Sequence, residues 1–71
     1  MREDELPPEG GIVELTAAAR PGRTAKFRAI GVRRGEQPGT AVLHGWYLDG
    51  SDIREQDVPV RLAGVRVVSE S

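Results

Sequence analysis

The chain has 71 residues, 38% of them hydrophobic and 30% charged, with a formal net charge of -1 and no cysteine. That length holds one domain at most, and the missing thiols exclude a disulfide scaffold, thiolate catalysis and cysteine-ligated zinc. No run approaches the roughly 18 apolar residues of a membrane helix, and residues 1–5 lack a signal peptide's apolar core, so a cytoplasmic protein with no membrane partner is expected.

Residues 1–10 carry Glu3, Asp4, Glu5 and Glu9 around Pro7-Pro8, with only Met1 and Leu6 apolar. So little apolar surface does not offset the entropy of ordering, and a flexible acidic arm is expected ahead of a single domain over 11–71. Turn chemistry then punctuates the chain. Arg20-Pro21-Gly22-Arg23 suits a type II turn, residues 35–39 a longer loop and Asp49-Gly50 a tight hairpin, while Ala63-Gly64 separates two valine-rich runs. Between them lie β-branched segments at 11–19, 24–34, 40–48, 57–62 and 65–69. The pattern predicts an all-β fold of about five antiparallel strands, as a small SH3-/OB-like barrel or a β-sandwich.

Alternation refines the segments. Glu14 to Arg20 contains good helix formers before a Pro-Gly stop, so helix competes with strand over 12–20; Ile12-Val13 favours strand. In the second segment Ala25, Phe27 and Ala29 share one face and Lys26 and Arg28 the other. At Gly31 the phase flips, as at a bulge where a sheet bends. The third segment is apolar on both faces: Val42, Trp46 and Leu48 beside His44, and Ala41, Leu43 and Tyr47 opposite. A second layer is therefore expected over it, from barrel closure, another element or a second subunit. Val58, Val60 and Leu62 are expected to form a C-terminal hairpin with Val65 and Val67, at a sheet edge because Pro59 donates no ladder bond. Asp52 and Glu55 together fit the cap of a single helical turn.

Catalytic constellations are nearly absent. His44 is the one histidine, with Asp49, Asp52 or Asp57 as proton-handling partners. A nucleophile would have to come from Ser51, Ser69 or Ser71, none in a G-x-S-x-G setting. His44 is expected to sit half buried with one nitrogen hydrogen-bonded. The expectation is no enzyme, no cofactor and no metal. Trp46 and Tyr47 face opposite ways on a strand; both can serve the core or one can anchor a contact, and Trp46 is assigned inward as the lone tryptophan of a small domain.

Charge is segregated although the total is close to zero. Arg20, Arg23, Lys26, Arg28, Arg33 and Arg34 fall between residues 20 and 34 with no acid among them, while acids gather in the arm and at Asp49, Asp52, Glu55 and Asp57. This strip reads either as a solvated face paired with the acidic loops, as an anion- or partner-binding surface, or as a phosphate-binding surface with Trp46 or Tyr47 stacking on a base.

Gly45-Trp46-Tyr47-Leu48 resembles the tripeptide that names the WYL domains, small β-barrels appended to bacterial transcription regulators. That resemblance implies sensing of nucleic-acid ligands. It covers about a third of the chain, and Pro59-Val60-Arg61-Leu62-Ala63-Gly64 stands where the family's arginine-rich aromatic run is expected, so membership does not follow.

A domain this small nets about 3–5 kcal/mol from its core, which favours association with a partner. The expected function is a non-catalytic interaction module, adaptor or accessory, that binds another protein or itself through the apolar strand and the basic strip. The alternative is a nucleic-acid-binding barrel using residues 20–34.

Overall fold

A computed structural model describes residues 5–22, 24–49 and 53–69. Five strands appear in chain order: β1 (Gly11–Leu15), β2 (Ala25–Arg34), β3 (Thr40–Tyr47), β4 (Gln56–Arg61) and β5 (Val65–Ser69), with a 3-10 turn at Leu62–Gly64 between the last two. All pairings are antiparallel, and one sheet holds all five strands in the order β4-β3-β2-β1-β5. No α-helix occurs among the described residues. β1, β3, β4 and the first half of β2 bury alternate residues, as the pleat dictates, whereas β5 buries only Val65. In β1 Val13 and Leu15 point inward while Ile12 and Glu14 point out; in β4 Val58 and Val60 point inward.

The inward residues meet in one cluster around Phe27, including Val13, Leu43, Val58, Leu62 and Val65, each no more than 1% exposed. This requires a strongly curled sheet. In a flat sheet, four strand spacings of about 4.8 Å would hold β4 and β5 about 19 Å apart. The four peptide steps from Arg61 to Val65 reach about 15 Å even when fully extended. The edges are drawn toward each other, yet β4 and β5 form no ladder.

That arrangement corrects the expected C-terminal hairpin, since β4 pairs with β3 and β5 with β1. The cause is the 3-10 turn, which carries the chain across the end of the core instead of reversing it. Gly64 presses against the loop after β1, where an added Cβ would collide with the backbone of Ala18 and Ala19. Its carbonyl accepts hydrogen bonds from the Thr16 amide at 3.2 Å and the Thr16 hydroxyl at 2.7 Å.

The competition between strand and helix near residue 15 ends in a division. β1 stops at Leu15, and the amides of Ala19 and Arg20 both donate to the Thr16 carbonyl, making one helical turn. The β1–β2 connection over 16–24 is therefore longer than the four-residue turn expected at 20–23, of which Arg23 lies outside the described residues. Gly22 still uses its tolerance of positive φ, at +126°. The β3–β4 connection over 48–55 is also longer than a two-residue turn; Asp49-Gly50 and the Asp52–Glu55 cap fall partly outside the described residues.

The phase flip in β2 is a bulge. Ala29 pairs with Gly45 and Gly31 with His44, leaving Ile30 as the extra residue, 40% exposed. The slip returns Val32 to the edge of the core. Gly45 is required beside it, because a Cβ there would strike the Arg28 carbonyl.

Pro59 lies on the edge strand as its chemistry demands. Leu62 donates to Gly39 on the β3 side (2.9 Å), whereas Arg61 donates away from it to Ala19 (2.8 Å). By alternation, Pro59 directs its missing N–H to the open edge, where no ladder bond is lost. The segment before β1 is held to β2 through Glu9 and Gly10. Leu6 packs on the core and Pro7 is buried. Gly10 donates to Ala29 at 2.6 Å, and the Glu9 carboxylate accepts the Val32 N–H at 3.1 Å, beyond the point where β1 stops pairing.

Candidate functional site

The sheet's outer face brings the apolar strand and part of the basic strip together. The register sets Trp46 of β3 opposite Arg28 of β2, and Val42 opposite Arg33. Leu48, 36% exposed, donates its amide to the Lys26 carbonyl, and Ile12 of β1 flanks Arg28 on the other side. The result is a row of half-exposed apolar side chains along β3 beside a row of cations along β2.

Trp46 is the correction here. It lies half exposed on this outer face and outside the core cluster. Tyr47 turns inward instead, edge-on to Phe27 with ring centroids 5.0 Å apart and an interplanar angle of 78°. The register decides: Tyr47 pairs with Phe27, so Trp46 must share Arg28's face. The Tyr47 hydroxyl stays at the rim, accepting a hydrogen bond from Arg20 at 2.7 Å.

The cations of residues 20–34 have separate settings. Arg28 is half buried and donates to the Gly10 carbonyl at 2.9 Å, tying the N-terminal segment to the sheet. Lys26 stands in register with Glu14, whose other neighbour, Arg66 of β5, lies 3.3 Å from its carboxylate. Arg33 is 3.9 Å from Asp57, both largely exposed, a pair worth at most about 1 kcal/mol. Arg34 ends β2, Arg20 belongs to the 16–24 loop, and Arg23 lies outside the described residues. Acids thus punctuate the strip.

His44 lies between Val42 and Trp46 on the same face. Its Nδ1 is 2.8 Å from Asp57 Oδ1, and its Nε2 is 3.4 Å from Glu55 Oε2. The Asp57 hydrogen bond raises the imidazole pKa above its ordinary 6.5; desolvation opposes this in part, and the charges of Asp57 and Glu55 add to the rise. Asp57 was legible as a partner in the sequence, whereas Glu55 was not, because only the β3–β4 register brings that loop across. Ser69 lies on β5 at the opposite edge of the sheet, while Ser51 and Ser71 fall outside the described residues. Among the described residues, no group of three His, Cys, Asp or Glu side chains is arranged to hold a metal ion.

A second concavity went unread in the sequence. An open groove of about 630 Å³ runs between the 16–24 loop, the 35–39 loop and the end of β4. Exposed Pro21 and Pro59 lie along it over buried Ala41 and Val60, with Arg20 and Arg61 its cations and Glu36 its acid. Its walls come from stretches separated by up to about forty residues, so no local pattern announces it. No described helix is long and apolar enough to cross a membrane. Comparison with protein-family models, with curated proteins and with solved structures finds no match to this chain.

Proposed function

We propose that this protein is a non-catalytic interaction module that docks on an acidic surface of a partner protein through the outer face of β2 and β3. The observation that carries the reading is the cross-strand pairing of Trp46 with Arg28 and of Val42 with Arg33 on an uncovered face. Tryptophan and arginine dominate binding hot spots, and apolar side chains interleaved with cations suit a partner that offers both apolar contact and carboxylates. A protein is favoured over nucleic acid because Glu14, Asp57 and Glu55 interrupt the cations, whereas a phosphate backbone rewards an unbroken positive track. The strand order, with a 3-10 turn between β4 and β5, supports the finer reading of the curled sheet as an SH3-like small barrel.

The test starts from a partner captured on the full chain, identified by mass spectrometry and purified. Trp46, the sole tryptophan, reports its own burial as a blue shift of emission when the partner is titrated in. Trp46→Ala and Lys26→Glu should each weaken binding at least fivefold while the far-ultraviolet dichroism stays unchanged. Binding indifferent to both variants would overturn the proposal. Salt-steep binding to oligonucleotides would replace it with the nucleic-acid reading. A dimer in sedimentation that Trp46→Ala dissociates would make the partner a second copy.

A further inference from the structure

We propose that the groove between the 16–24 loop, the 35–39 loop and the end of β4 is a separate peptide site, taking an extended segment of a partner protein in which a carboxylate is flanked by aliphatic side chains. It adjoins the outer face only at Val42 and uses different charged residues.

The chemistry of the lining selects the occupant. Exposed Pro21 and Pro59 offer small apolar surface at the groove's rim over a floor of buried Ala41 and Val60, and no aromatic ring lines the groove to stack on a base or a sugar. Its volume, about 630 Å³, falls within the roughly 300–1,000 Å³ of ordinary ligand sites. Two of its three charged residues are arginines. They belong to adjacent pieces of backbone, since the Arg61 amide donates to Ala19, next to Arg20. A guanidinium presents five donors in a fixed fork matched to carboxylates. Glu36 sits on the 35–39 loop and disfavours a second acid there. The groove is thus polar in the electrical sense, cationic on one wall and anionic on the other, and it orients the bound segment.

The backbone excludes a simpler mode. Adding a strand to β4 needs donors along its open edge, but Pro59 has none and the Arg61 N–H is already given to Ala19. Recognition therefore runs through side chains, and specificity rests on the acid.

The experiment pans a phage-displayed library of random 12-residue peptides on the full chain, then titrates the enriched peptide into 15N-labelled protein. Enrichment of Asp or Glu between aliphatic residues is expected, with saturable amide shifts at Gly35, Ala41, Val60 and Arg61. Replacing the peptide's acid by its amide should weaken binding on the order of tenfold, the scale of a charge-assisted hydrogen bond. Arg61→Gln should abolish that discrimination while leaving the thermal midpoint within a few degrees. No enrichment, an enriched motif without an acid, or shifts confined to Lys26, Arg28 and Trp46 would each overturn the groove site. The last outcome would leave the outer-face reading intact.

Discussion

Trp46 and Tyr47 are neighbours in sequence with opposite work in the fold, and truncating each in turn separates the two. Tyr47 packs edge-on against fully buried Phe27, with the hydroxyl bonded to Arg20. Full burial of a large aromatic makes its loss cost about 3–5 kcal/mol. Half burial reduces that to about 2 kcal/mol, and the lost ring pair adds about 1 kcal/mol. Tyr47→Ala is therefore expected to cost about 3 kcal/mol. Trp46 lacks core contacts and interacts mainly across strands with Arg28, so Trp46→Ala should cost about 1 kcal/mol or less. In a domain with about 3–5 kcal/mol in hand, the first variant keeps only about 0–2 kcal/mol and is marginal at 25 °C, whereas the second stays firmly folded. Urea titration followed by far-ultraviolet dichroism, which needs no tryptophan, measures both. With a slope of about 1 kcal/mol per molar urea, Trp46→Ala should move the midpoint by no more than about 1 M. A larger loss for Trp46→Ala than for Tyr47→Ala would refute the assignment of inner and outer faces, and the docking surface with it.

Further outcomes follow from the same geometry. Because its folded pKa is raised, His44 stabilises the fold fully below its unfolded value near 6.5, and that contribution is lost as pH rises through the raised folded value. An NMR titration of the imidazole should give a pKa that falls toward 6.5 in Asp57→Asn; an unchanged value would remove Asp57 as the cause. Gly64→Ala forces a methyl into the backbone of Ala18 and Ala19 and should cost about 2 kcal/mol or more in urea, whereas a neutral result would mean the 3-10 turn does not abut that loop. Thr16→Val removes the 2.7 Å bond to the Gly64 carbonyl and should cost about 1 kcal/mol by thermal melting, with an unchanged midpoint counting against that bond.

Local chemistry in the sequence determined much of this fold. The period-two pattern located five strands, with ends displaced by one residue at most except at the C-terminal end of β1, where the expected segment ran four residues long. The reversal of phase at Ile30-Gly31 marked the bulge, and the missing N–H of Pro59 put β4 at an edge, because alternation and hydrogen-bonding capacity belong to single residues and their neighbours. Pairing partners do not. Whether Val58 and Val60 lie against Val65 and Val67 or across the core from them depends on a three-residue turn wedged against Ala18 and Ala19, a contact made over more than forty residues. The same holds for the two aromatics: strand alternation says that they face apart, but only the register with Phe27 and Arg28 says which is inside. The candidate surfaces divide likewise. The cations and the apolar strand were visible as separate runs, their side-by-side alignment on one face came from the β2–β3 ladder, and the groove exists only because a curled sheet brings two loops and a strand end together.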